Sequence, residues 1–294
     1  MYLKIGTRGS KLALTQTKMV SEKLTELGAV TEIVVIKTHG DVASTVPLHE
    51  IGGQGVFVRP LDDAILQGEI DAAIHSMKDI PAKRPEGIST CAILKRDSPA
   101  DFLIHDGEIG SVTTIGTSSM RRRSQLLRYN PAIVVKPLRG NLDTRLRHLT
   151  AGNFDAIVVA EAGLQRLGIP VKGEQLPLTQ FVPTANQGTV AAVCRSDPVL
   201  MELFQPLNHP QTRTDIAFER AVIEEIGGGC YTPLGVYCRN GHLIAEVLSL
   251  DGCRWKRIER NVKDVVGAHE CGKELKEQAR DLIGEVHEQL GGVG

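Results

Sequence analysis

No run of eighteen apolar residues occurs in this 294-residue sequence, so no transmembrane helix is expected. Met1–Ser10 lacks the continuous apolar stretch of a secretory signal, which predicts a cytoplasmic protein. The six cysteines, at 91, 194, 230, 238, 253 and 271, form no Cys-x-x-Cys. Their scatter argues against a disulfide framework or a metal site and for small buried core residues. There is no overall excess of basic charge: the formal net charge is -1 and the pI about 6.8. A nucleic-acid partner would explain arginines, but here they are not interleaved with aromatics as in a stacking platform.

Against that balanced background one stretch stands out. Residues 116–147 read GTSSMRRRSQLLRYNPAIVVKPLRGNLDTRLR, with seven arginines and one lysine against a single acid, Asp143. Gly116-Thr117-Ser118-Ser119 follows an apolar run that ends at Ile115. A Gly-Thr-Ser-Ser turn from a strand into a helix presents hydroxyls and free backbone N–H groups, which suits an anion. Arginine adds planar, bidentate recognition of carboxylate or phosphate. A solvated helix usually balances its arginines with acids four residues away, and apart from Asp143, four residues from Arg139 and Arg147, no such acid occurs here. The stretch therefore predicts a pocket for a ligand with several negative groups.

Hydrophobic periodicity organises the rest. Tyr2–Gly6 reads as a strand and is followed by a helix with Leu12, Met19, Val20, Leu24 and Leu27 on one face; 32–37 reads as a second strand. Residues 38–58 are glycine-rich and aperiodic, a loop long enough to be functional. Pro60 opens a helix to about Gln67, and 71–75 is a strand running into His75-Ser76-Met77-Lys78-Asp79. The pattern then repeats: strands at 112–115, 133–136 and 154–160, helices at 119–129 and 141–151. Gly6-Thr7 and Ser10 correspond to Gly116-Thr117 and Ser119, and Gly68-Glu69-Ile70-Asp71-Ala72 to Gly152-Asn153-Phe154-Asp155-Ala156. Two tandem β-α-β-α-β units predict two α/β lobes with parallel-type sheets and a cleft between them, with ligands beyond the carboxyl ends of the strands. From about Thr212 a helix at 214–226, strands at 233–238 and 242–250 and a helix at 264–290 predict a smaller α+β domain.

Cys230 ends the run Gly227-Gly228-Gly229. It reads either as a helix C-cap beside an incidental small residue or as a thiolate nucleophile or attachment point. Asp79, at a strand's carboxyl end, is a candidate general acid or cation stabiliser, or a salt-bridge partner of Lys78 or Lys83. His75 reads as a hydrogen-bonded strand end; Arg8 and Arg166 carry little signal alone.

Jointly the motifs resemble those of the hydroxymethylbilane synthase (porphobilinogen deaminase) family. They are Gly6-Thr7-Arg8-Gly9-Ser10 through Gln16, His75-Ser76-Met77-Lys78-Asp79-Ile80-Pro81, Gly116 through Arg122, Leu138-Arg139-Gly140-Asn141 with Thr144-Arg145, Ala162 through Arg166, and Gly228-Gly229-Cys230. The resemblance implies two periplasmic-binding-protein-like lobes plus a smaller domain: domain 1 at 1–94 and 188–206, domain 2 at 99–183, and domain 3 at 210–294. It implies a dipyrromethane cofactor in thioether linkage to Cys230. Four porphobilinogens are condensed head to tail onto this primer with loss of ammonia, and hydrolysis then releases linear hydroxymethylbilane. Asp79 is implied as the catalytic group. Ser76, Lys78, Asp79, Thr117, Ser118, Ser119, Arg121, Arg122 and Arg145 are implied as cofactor contacts. Arg8, Ser10, Arg139, Gly140, Arg145 and Arg166 are implied for the substrate and growing chain, with 38–58 as a lid. The implied protein is a monomer whose product passes to a uroporphyrinogen-III synthase, with no nucleic-acid or membrane partner. Four positions depart from the family pattern: Gln54 for lysine, Arg59-Pro60 for Lys-Glu, and Asn186 where glycine is usual. The competing reading is a cytoplasmic two-lobed binding protein for a polycarboxylate, which has no use for Gly-Gly-Cys230.

Overall fold

The computed structural model describes residues 1–37, 55, 57–82, 84–107, 110, 112–227 and 232–289. The chain divides into two compact units: 1–98 with 162–169 and 188–213, and 99–161 with 170–187 and 214–294.

The first unit is built on β1 (Tyr2–Thr7), α1 (Lys11–Glu26), β2 (Val30–Val35), α2 (Arg59–Leu66), β3 (Ala72–Ser76) and β4 (Ile88–Ile93). In the second unit the same succession returns as β6 (Thr114–Gly116), α3 (Met120–Tyr129), β7 (Val134–Lys136), α4 (Leu142–Thr150) and β8 (Ala156–Ala160), preceded by β5 (Asp101–His105). The next elements are α5 (Glu161–Leu167), β9 (Gly173–Gln175), β10 (Val190–Arg195) and α6 (Pro198–Phe204). The two five-stranded sheets have matching orders, β2-β1-β3-β10-β4 and β7-β6-β8-β5-β9.

The parallel-type expectation is corrected by the last two strands of each sheet. β10 runs antiparallel to β3 and β4, and β5 runs antiparallel to β8 and β9. Both sheets are therefore mixed: β10 is inserted between β3 and β4, and β5 between β8 and β9.

The repeated motif has a repeated physical job. Gly68 and Gly152 take φ of +75° and +72° just past the ends of α2 and α4, the left-handed stop that glycine makes cheaply. Three residues on, Asp71 accepts the Lys4 N–H at 2.8 Å, and Asp155 accepts the Thr113 and Thr114 N–H groups at 3.0 and 2.8 Å. Each aspartate pins the start of the parallel strand pair. The residue before it fills the space left by the missing Cβ of the strand glycine: one on Gly6 would lie 2.3 Å from Ile70, and one on Gly116 2.9 Å from Phe154. A side chain at Gly6 or Gly116 would therefore have to displace Ile70 or Phe154.

Each sheet has its own core. Leu3, Ile5, Val20, Leu24, Cys194 and Phe204 pack in the first lobe, and Leu103, Ile115, Leu126, Val158 and Phe181 in the second. The third core gathers α7 (Pro210–Ile226) onto a three-stranded sheet, β11 (Leu234–Arg239), β12 (His242–Leu248) and β13 (Trp255–Asn261). The sequence reading missed β13 because Ile258 is its one buried residue; the others are charged or exposed. The single C-terminal helix is also corrected. It is two helices, α8 (Val265–Gln278) and α9 (Arg280–Gln289), parted at the fully buried Ala279, so that Leu275 and Leu282 both reach the core. No helix among the described residues is long and apolar enough to cross a membrane.

Candidate active site

In the first unit, β1 ends at Thr7 and the chain leads to Ser10, whose hydroxyl caps α1 by accepting the Ala13 N–H at 3.3 Å. Arg8, two residues earlier, lies over the Phe57 ring, 4.0 Å from its centroid. The carboxyl end of β3 passes into a 3-10 turn, Met77–Asp79, held by the Met77 N–H on the Thr189 carbonyl. Gln16 crosses from α1 to hydrogen-bond Ser76 at 3.1 Å. These elements enclose a cavity of about 70 Å³ whose polar lining is Arg8, Ser10, Gln16, His75, Ser76 and Asp79. Lys78 is exposed on the same turn and is not part of the lining.

His75 lies near the end of β3, opposite Ala191. Its Nε2 is buried without a hydrogen-bond partner. Burial, reinforced by the Arg84 and Arg8 charges, lowers its pKa to about 3, so the ring is neutral at physiological pH. Arg84 itself pairs with buried Asp62 at 2.6 Å.

In the second unit, Ser119 caps α3 by accepting the Arg122 N–H, and Thr117 Oγ1 accepts the Ser119 N–H at 3.2 Å. Ser118 Oγ is buried with no partner. The α3 N-terminus thus has its own caps in place and one buried hydroxyl left over.

The arginines divide in a way the sequence did not reveal. Arg123 is exposed, whereas Arg121 and Arg122 are buried and both pair with fully buried Asp101, at 2.8 and 2.7 Å. Arg121 also donates to Gln125 Oε1 and the Val182 carbonyl, and Arg122 to the Val158 carbonyl. Gln187 adds a 2.8 Å hydrogen bond to Asp101. Arg128 instead pairs with fully buried Glu246 of β12 at 2.9 Å, and Gln125 Nε2 bonds the same carboxylate. Arg121, Arg122 and Arg128 have no acid four residues away, but each has a buried acidic partner all the same. The acids come from other elements, β5 and β12, not from positions four residues away.

Arg145 and Arg139 complete the cluster. Arg145 Nε donates to the Gly140 carbonyl at 2.9 Å, across a turn where Gly140 takes φ +97°. Burial, with Arg122 and Arg139 close by, pushes the Arg145 guanidinium down to about 10.

Arg166, on α5, belongs to the first unit, where it pairs with Asp97 at 2.8 Å. Cys230 and most of the 38–58 loop, including Gln54, lie outside the described residues, as does Lys83. Asn186 has φ 66°, the left-handed region in which glycine is easiest and asparagine next. Its Oδ1 is also buried without a partner. Asn186→Gly is expected to stabilise the fold by about 1 kcal/mol, read as a higher urea midpoint at unchanged m.

Comparison with known proteins decides the family. The family model described as "Porphobilinogen deaminase, dipyromethane cofactor binding domain" matches residues 3–202, and that of the porphobilinogen deaminase C-terminal domain matches 214–281. The chain belongs to the porphobilinogen deaminase family. A probable porphobilinogen deaminase of Methanosarcina acetivorans is 47% identical over 96% of this chain and 93% of its own length. One from Archaeoglobus fulgidus is 45% identical over 95% of this chain and 99% of its own. Among solved structures, an ancestral cationic amino acid solute binding protein matches with TM-score 0.46 and 13% identity, over 70% of this chain and 87% of that one. As a porphobilinogen deaminase family member the chain is a transferase of tetrapyrrole biosynthesis that uses a dipyrromethane cofactor, and a non-catalytic polycarboxylate binder is not favoured.

Proposed function

We propose that the residues described above carry out the hydroxymethylbilane synthase reaction with the following division of labour. In the second unit, Thr117, Ser118, Ser119, Arg121, Arg122 and Arg145 hold the carboxylates of the dipyrromethane, and Cys230 anchors it through a thioether. In the first unit, Ser76, Lys78 and Asp79 complete those contacts. The observation that carries this reading is the cluster of Arg122, Arg139 and Arg145, with Arg145 pushed down to about 10 by burial and by the two like charges. The unpartnered, buried Ser118 hydroxyl at the α3 N-terminus fits the same anionic group. When bound, the dipyrromethane supplies an unsubstituted pyrrole carbon as the nucleophile.

Loss of ammonia from porphobilinogen leaves a cationic azafulvenium. The Asp79 carboxylate, lining the cavity, offsets that charge and accepts a pyrrole N–H. Arg8, Ser10, Arg139, Gly140, Arg145 and Arg166 take the acetate and propionate groups of the substrate and the lengthening chain. The division into domain 1 (1–94 and 188–206), domain 2 (99–183) and domain 3 (210–294), cytoplasmic location, a monomeric state and handover to a uroporphyrinogen-III synthase belong to the same proposal.

Intact mass of protein expressed in porphobilinogen-producing cells, beside Cys230→Ala, tests the anchor. An adduct of two deaminated porphobilinogen units in the wild type and its absence in the variant is the expected result. Wild-type protein still without the adduct after incubation with porphobilinogen would refute the reading.

A further inference from the structure

Arg166 sits where three passages of the first unit meet. Its Nε donates to Asp97 Oδ2 at 2.8 Å, and its Nη2 donates to the Gly188 carbonyl at 2.6 Å. That carbonyl also accepts the Asp97 backbone N–H at 3.0 Å. Gly188 has φ +85°, and a Cβ there would lie 2.6 Å from the Ser98 carbonyl oxygen. Glycine is therefore what lets 97–98 and 188 approach this closely.

Within this junction the two charged partners are unequally placed. The Arg166 side chain is 8% exposed and that of Asp97 is 42% exposed. A buried guanidinium needs a nearby anion, because losing it leaves an uncompensated charge. A half-exposed carboxylate keeps much of its hydration and leaves such a pair at small cost. The guanidinium fork accepts one planar carboxylate much as another. Burial lowers the Arg166 pKa while Asp97 supports it, so Asp97 is what the cation rests on in the absence of another anion.

We propose that Asp97 is an internal stand-in for a substrate carboxylate: it holds Arg166 between turnovers and yields it to an acetate or propionate of porphobilinogen or of the growing chain. The inference rests on the reading that Arg166 binds substrate. Asp97 is then a positioning residue that competes with the ligand. Its charge raises KM without taking part in bond making or breaking.

The test uses the cofactor-loaded full chain. Asp97→Asn keeps an oxygen that can accept from Arg166 and removes the competing charge. KM for porphobilinogen is expected to fall about three- to fivefold with kcat changed less than twofold, while Asp97→Glu stays near the wild-type KM. An unchanged or raised KM in folded Asp97→Asn overturns the proposal. Arg166→Gln separates the two levels. If it leaves KM and kcat untouched, the substrate-binding reading of Arg166 fails. If it raises KM while Asp97→Asn does not lower it, the stand-in role alone fails. Should the Asp97 variants not fold, the wild-type Arg166 Nε–H resonance, assigned by its loss in Arg166→Lys, is followed during titration. The probe is a pyrrole bearing acetate and propionate but no aminomethyl group. A saturable shift is expected, and no shift overturns the proposal.

Discussion

Asp101→Asn is expected to cost about 3–5 kcal/mol of folding stability, the range for removing one partner from a buried ion pair. Asp101 is fully buried and faces two guanidiniums, Arg121 and Arg122, with Gln187 as a further donor. An amide in its place leaves two buried cations and supplies no charge for either. Burial by itself would raise the Asp101 pKa, but Arg121 and Arg122 outweigh it and hold the carboxyl below its ordinary range. A carboxyl whose folded-state pKa lies below the unfolded value contributes stability that is complete above about pH 5. That contribution drains away as pH falls through the unfolded value of about 3.9 toward the folded one. Urea melts of wild type and Asp101→Asn should therefore differ most at neutral pH and converge in acid. A gap of under 1 kcal/mol at pH 7 would show that the arginines do not depend on Asp101.

Why this acid was invisible in the sequence is instructive. The arginine cluster could be seen because its residues are contiguous, and the Gly-Thr-Ser-Ser turn because its chemistry is local. Asp101 reaches Arg122 of α3 from strand β5, and Glu246 reaches Arg128 of α3 from β12, 118 residues away. Partners brought together by tertiary packing leave no periodic trace. The one hint was an acid opening the apolar run Asp101-Phe102-Leu103-Ile104, in a chain whose nearby arginines lacked local partners. The internal repeat was legible because the same steric demand occurs twice: a glycine under Ile70 or Phe154, and an aspartate pinning the next strand. The antiparallel strands β5 and β10 were not, since strand direction depends on which neighbours a strand is inserted between. Asn186 could be noted as unusual, but the reason, a left-handed φ, needed the backbone.

Asp79→Asn is expected to lower kcat by about a thousandfold while leaving the fold intact. Asp79 is exposed, ends a 3-10 turn and lines the cavity with Arg8, Ser10 and Ser76, outside the buried networks of Asp101 and Glu246. Exposed substitutions of this kind change stability by about 0.5 kcal/mol or less. The catalytic effect is larger because the charge that matters arises during reaction. A carboxylate about 4 Å from a new unit positive charge contributes about 4 kcal/mol at an effective dielectric of about 20. That is roughly a thousandfold in rate. Asparagine preserves the shape and an acceptor oxygen but not the charge, so binding of the pyrrole N–H survives and stabilisation of the azafulvenium does not. KM should therefore move far less than kcat. Asp79→Glu keeps the charge at a shifted position and should fall between the two. Single-turnover release of ammonia from porphobilinogen, followed beside a urea melt of the same samples, separates the effects. An Asp79→Asn rate within tenfold of wild type, in a protein of unchanged stability, would mean that the azafulvenium charge is offset by another group.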